Sequence, residues 1–208
     1  MSVTIQMQIP DELIKGIEQK LDGIKKPESV IKTVVNNTAK QTQKLLVQKA
    51  SKVYAGEAAR KSKVMAASTV QKATTGSQTA TIRFKSPVHE IKEFHISSLQ
   101  ISKTYYRKNG QRGKKNIKGN VLSGKSKVLE NAFVVQFKNG HVSVVSRIPG
   151  TYMKSNPKKE KLRKLLSPSY KVMIGSERVF GESSDAIGVI MHNEAEKVLE
   201  KILGGKGD

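Results

Sequence analysis

The sequence predicts an α+β fold. Three observations carry that expectation: apolar stripes at three- and four-residue steps near both ends, period-two alternation between them, and an Asn139-Gly140 pair dividing two apolar runs. Helices at the ends with strands between them favour amphipathic N- and C-terminal helices packed on a mainly antiparallel sheet. At 208 residues with no internal repeat, one domain is expected over 1–208. Its parts are an arm or short helix over 1–26, a helical pair over 27–66, a β-rich region over 78–180 and a closing helix over 184–203.

Each element follows from local pattern. Val3, Ile5 and Met7 alternate with polar neighbours, as a short strand would. Leu13, Ile14, Ile17 and Leu21 then make a short helical pattern that Gly23 ends. Pro27 suits the first turn of the next helix, where Glu28 sits near the free amides. Ile31, Val35, Ala39, Thr42, Leu45, Leu46, Ala50 and Val53 recur at helical steps and predict one buried face. A shorter helical pattern follows Gly56. Ala80, Ile82 and Phe84 alternate with Thr81, Arg83 and Lys85 as a half-buried strand closed by Pro87. Residues 89–96 and 99–106 read as extended. Asn139-Gly140 tolerates the positive φ of a tight hairpin turn, and a second, poorer strand pair is expected around 163–174. Ser184 is expected to cap the last helix, whose stripe runs through Ile187, Ile190, Met191, Ala195, Val198, Leu199 and Ile202.

Composition narrows the function. Lys and Arg number 38 against 17 Asp and Glu, a net charge of +21. The absence of cysteine excludes a disulfide framework, a thiolate metal site and a thiol nucleophile. No apolar run approaches the roughly 18 residues of a membrane span, and the first residues lack the blocks of a signal peptide. The expectation is a soluble, cytosol-made cationic protein with an anionic partner and no membrane.

The charge is concentrated. Residues 103–127 hold Lys103, Arg107, Lys108, Arg112, Lys114, Lys115, Lys118, Lys125 and Lys127 and no acid. With Gly110, Gly113, Gly119 and Gly124 among them, the stretch reads as a long basic loop between strands. Residues 154–164 hold Lys154, Lys158, Lys159, Lys161, Arg163 and Lys164 against Glu160 alone. Like charges so packed repel unless an anion faces them. Aromatics are 5% of the chain, a poor endowment for stacking on bases, so phosphate contact without base reading is expected.

Other motifs carry less. Residues 119–126, "GNVLSGKS", satisfy the phosphate-loop pattern, but that chemistry needs a buried strand before the loop and a helix after it, and neither flank supplies one. His89, Glu90, Glu93 and His95 miss the zinc-binding HExxH spacing, because Glu93 stands where the second His should be. As a continuous strand, His89, Ile91, Glu93 and His95 would share one face, which could hold a metal but more simply makes a polar sheet face. Neither His141 nor His192 has a neighbouring Ser or Asp that suggests a triad. No catalysis and no cofactor or metal is expected. The pair of helical patterns around Gly56 fits packing better than a DNA-reading helix-turn-helix.

The stretch "AFVVQFKNGHVSVVSR" resembles the most distinctive part of the phage minor tail protein Z family, through Ala132, Phe133, Gly140, His141, Val144 and Arg147, with Asn139 in the turn. Pro168 and Ser169 are similar to that family's Gly-Pro-Ser turn, with Ser167 where the family has Gly. The resemblance spans about residues 28–203. It implies a non-enzymatic component of a phage or prophage tail, acting in tail completion at the head-proximal end. It further implies a sixfold ring of copies around the path of DNA, contact with other tail proteins, and a place in the virion tail after assembly in the host cytoplasm. The alternative is a free-standing, sequence-independent nucleic-acid-binding protein.

Overall fold

A computed structural model describes residues 2–21, 26–85, 87–99 and 117–204, with the backbone of Tyr105–Tyr106 and Arg112–Gly113. The fold is mixed α+β, and every strand ladder among the described residues is antiparallel. The chain divides into two compact units: Met1–Ser51 with Lys61–Pro87 and Tyr170–Asp208, and Lys52–Arg60 with Val88–Ser169.

In the first unit, β1 (Ser2–Met7), β2 (Ser68–Gln71) and β3 (Ala80–Lys85) pair in the order β1-β3-β2. Period-two alternation puts Ala80, Ile82 and Phe84 on the covered face, where all three are fully buried. Its helices are α1 (Asp11–Leu21), α2 (Pro27–Val53), α3 (Lys61–Ala66), α4 (Tyr170–Ile174) and α5 (Ser184–Gly204). The stripe expected on α2 is present and wider than a single seam, since Val30, Val34 and Val47 are buried beside Ile31, Val35, Leu46 and Ala50. Each such side chain contributes roughly 1.5–3 kcal/mol on full burial. Asn36 fixes the exit from β2, donating from Nδ2 to the Ala73 carbonyl and accepting the Ala73 amide at Oδ1. Helix α1 packs on α5, and α4 lies against β1 and β3.

Two expectations need correction in this unit. The second strand pair, predicted around 163–174, forms only in part: residues 163–164 and 166–167 are strand, the latter paired with His89–Glu90, but residues 170–174 are helix α4. Tyr170, Met173 and Ile174 are buried at i, i+3 and i+4, a helical spacing that a five-residue apolar run cannot distinguish from a strand by inspection. Ser184 does not cap α5 from outside. Its backbone is already helical, and its hydroxyl donates back to the Gly181 carbonyl of the 3-10 turn Gly181–Ser183.

The second unit holds β4 (His89–Glu90), β5 (His95–Ile96), β6 (Tyr105–Tyr106), β7 (Arg112–Gly113), β8 (Ile117–Asn120), β9 (Lys127–Leu129), β10 (Ala132–Gln136), β11 (Val142–Met153), β12 (Asn156–Lys164) and β13 (Leu166–Ser167). Two three-stranded sheets, β10-β11-β12 and β5-β8-β9, share it with the pairs β13-β4 and β6-β7. Ile91, Ile117, Ala132, Val134 and Val144 form its core, flanked by Ile96, Val121, Leu129, Val142 and Leu165. The connection after α2 is sewn onto this core: Ala55 donates to Val121, Ser123 to Val53 and Ala58 to Glu93, all through backbone groups.

Part of the stretch read as a basic loop is strand, because Ile117 and Gly119 point into the core while Lys118 points out. Residues 119–126 accordingly span the end of β8, a turn with Gly124 at φ +71° and the approach to β9, with strand rather than helix after Ser126. The segment 89–96 is not one strand. A 3-10 turn at Ile91–Glu93 breaks it, burying Ile91 and turning His95 away from His89.

The tight hairpin expected at Asn139-Gly140 forms. Gly140 donates to the Phe137 carbonyl and Phe137 to that of His141, so the loop is a three-residue turn with Gly140 alone at positive φ, +81°. Asn139 contributes its side chain instead, accepting the His141 amide at Oδ1.

Candidate functional site

The stretch from Ala132 to Arg147 owes its residue types to packing and polar contacts inside the second unit. Ala132 and Val144 belong to the core. Phe133 lies on the same face of β10 as its partner Val145 on β11, and the Arg147 guanidinium sits 5.2 Å over the Phe133 ring. Such a contact stabilises by about 0.5–1 kcal/mol at an exposed site. Gly140 supplies the turn that delivers His141 to Glu90. Pro168 and Ser169 are half-buried between β13 and α4.

Glu90 is the polar centre of this unit. Pairing of β4 with β13 holds its backbone, and its side chain, 17% exposed, collects donors from three other strands or turns. Ser143 Oγ donates at 2.6 Å, His141 Nε2 at 2.9 Å and Lys164 Nζ at 2.9 Å, with Lys92 Nζ at 3.9 Å. Lys92 also donates to the Val142 carbonyl at 2.6 Å and lies 3.5 Å from His141 Nδ1. An Nε2–H imidazole satisfies both neighbours, donating to Glu90 and offering Nδ1 to Lys92. Burial pushes the Glu90 carboxyl up, but the Ser143, Lys164 and His141 hydrogen bonds and the Lys164 charge outweigh it, bringing the pKa from 4.5 to about 2. Beside it, the Glu93 carboxylate accepts the Glu90 amide and meets His89 Nδ1 at 2.8 Å.

Ser143 Oγ and His141 Nε2 both donate to the same carboxylate and not to each other, so the two do not form a serine–histidine pair. Among the described residues no group of three or more His, Asp or Glu is arranged to hold a metal ion. Glu90 stands out in the sequence only beside His89, Glu93 and His95, and Ser143 not at all, because the partners that join them lie 51 to 74 residues away from Glu90 along the chain.

The cations behave differently. Lys118, Lys125, Lys127, Lys158, Lys159, Lys161 and Arg163 are all exposed, and none has a carboxylate within 4.0 Å among the described residues. Lys164 is the exception, since Glu90 engages it. Lys103, Arg107, Lys108, Lys114 and Lys115 lie outside the described residues, and Arg112 is described only as backbone in β7. The rest fall on two structures: Lys118, Lys125 and Lys127 on the β8–β9 hairpin, and Lys158 to Lys164 on β12.

The β11–β12 pair has an unusual form. Strand β10 pairs with β11 only as far as Ser146, whereas β11 and β12 continue together to Met153 and Asn156. Beyond that point no residue is buried, and Tyr152 is 53% exposed. The register is irregular: Arg147 faces Leu162 and Tyr152 faces Glu160, so four residues oppose Lys161, with Gly150 at φ +71° in that bulge. The result is a bare two-stranded ribbon.

No helix among the described residues is long and apolar enough to cross a membrane. A family model described as prophage minor tail protein Z matches residues 14–156, more than two-thirds of the chain. The match includes Ala132 to Arg147 and ends before the cations of β12 and before Pro168 and Ser169. No curated protein and no solved structure matches the chain.

Proposed function

Because the chain belongs to the prophage minor tail protein Z family, and is thus a phage minor tail protein, we propose that it completes the tail as a ring of copies at the head-proximal end, with its cationic segments turned toward DNA or an acidic tail protein. The role is structural. The observation that carries this reading is the set of seven exposed Lys and Arg side chains on β8–β9 and β12 that lack carboxylate partners among the described residues. A chain of net charge +21 repels its own copies, and an anion among them offsets that repulsion. A DNA path needs attraction to phosphate and no base reading, which suits unpaired lysines. The sixfold count and the assembly in host cytoplasm belong to the same reading.

The test is location. Tails purified from the encoding phage should contain the chain, and antibody label should decorate the end that meets the head. Chain left in the soluble lysate and missing from tails would contradict the reading.

A further inference from the structure

We propose that the outer edges of β1 and β2 are the seam between neighbouring copies: β2 of one copy adds as a further strand to β1 of the next, head to tail around the ring. The inference rests on the tail reading for the ring; the seam itself comes from the three-stranded sheet of the first unit.

In the order β1-β3-β2 both outer strands are edges, and neither has a strand partner on its outer side among the described residues. Unpaired N–H and C=O groups along an edge are a template for a further strand. Natural edges are blunted by lysine, proline or a bulge; these two are not. Both pair with β3 in unbroken register. The chain has no charged side chain before Asp11 and none from Val64 to Gln71. Strand β12, an edge of a sheet in the other unit, instead carries Pro157 and five Lys and Arg.

The outer side of β1 is shaped to receive a strand. A groove of about 300 Å³ is lined by Val3, Thr4, Ile5, Gln6, Gly175 and Phe180, with no residue of β3. Consecutive strand residues point to opposite faces, so a groove touching four in a row follows the backbone edge and not one face. Phe180 is still 37% exposed there. Strand β2 has the matching form, four residues long and level with β1. Ile5 and Val70 both pair with Ile82, Thr4 and Thr69 with Arg83, and Gln6 and Gln71 with Thr81. A copy rotated about an axis along the strands, with no rise, therefore sets Val70 beside Ile5 on the covered face. The same rotation sets Thr69 and Gln71 beside Thr4 and Gln6 on the exposed one. Both strands run antiparallel to β3, so the new pair is parallel. A contact between two different edges is heterologous, and such contacts make rings where the rotation closes. Copies that repel one another by charge meet here through uncharged strands.

The chain has no cysteine, so introduced pairs report the seam directly. The full chain carrying Thr4→Cys/Thr69→Cys, or as a second pair Gln6→Cys/Gln71→Cys, is oxidised in the presence of short duplex DNA. All four positions are exposed, and thermal melting checks that the variants fold. Within one copy β3 separates each pair by two strand spacings, about 9.6 Å, too far for a disulfide. Both double variants should give a ladder of covalent multimers that reductant dissolves, and no single-cysteine variant should give one. Dimers from Thr4→Cys alone would show β1 pairing with its own counterpart and overturn the head-to-tail seam. Double variants that stay single chains would also overturn it; a closed oligomer of the wild type by native mass spectrometry would then leave the ring standing on another surface. Absence of the chain from purified tails would sink the tail reading whatever the cross-links show.

Discussion

Gly56→Ala should destabilise the second unit by about 4 kcal/mol, although it adds a single methyl group. Gly56 holds φ +85°, and a left-handed backbone costs an ordinary residue about 1–2 kcal/mol. The added Cβ would also stand 2.3 Å from Phe94 Cα, 2.7 Å from its carbonyl carbon and 2.8 Å from the Glu93 carbonyl oxygen. Those atoms are backbone, so no rotamer change relieves the overlap; overpacking of this kind adds about 1–3 kcal/mol. Nor can the segment drift away, because the Ala55, Ala58 and Ser123 amides pin it on both sides. Denaturant unfolding should show the loss, together with faster exchange of the Ala58 amide. A midpoint within about 1 kcal/mol of wild type would mean that 52–60 does not sit against Phe94 as described.

Glu90→Gln should cost roughly 3 kcal/mol near neutral pH, and the loss should fade in acid. The carboxyl falls from 4.5 to about 2 on folding, a difference worth about 1.4 kcal/mol per unit. Above pH 4.5 both folded and unfolded chains carry the carboxylate, so its contribution is present in full. As pH drops below 4.5 the unfolded chain takes up the proton first, and the contribution shrinks until it is gone below about pH 2. The amide also turns an NH2 toward donors from Ser143, His141 or Lys164, leaving one of them unmatched. Unfolding free energies of both chains between pH 3 and 7 are the measurement, and their gap should narrow toward the acid end. A gap that does not change with pH would show that the charge on Glu90 is not what holds the cluster together.

Local pattern revealed the elements whose reasons are local. The α2 stripe, the alternation of β3 and the turn at Gly140 could each be read from one continuous stretch of chain. The Glu90 cluster could not, because four segments must fold before Ser143, His141, Lys164 and Lys92 meet it. Residues 148–159 gave no clean alternation either, since a bulge at Gly150 and Pro157 within β12 both interrupt it. Helix α5 hides a similar case: Glu194 lies in its buried face among Met191, Ala195 and Leu199 and receives the Gln41 amide. An acid there reads as a surface residue until its partner on α2 is known. The cations were legible as composition, and their place on the β8–β9 hairpin and β12 was not, because strand pairing exists only once the register is set.

In the proposed ring, many copies share one anion. A ring of subunits at +21 each accumulates a charge that opposes its own closure, and polyanion inside it should favour the closed form. The most direct measurement is the mass of the assembled species, by native mass spectrometry or sedimentation, with and without short duplex DNA. The expected result is one closed oligomer of fixed subunit number whose population rises when DNA is added. A monomer at every concentration, unaffected by DNA, would contradict it.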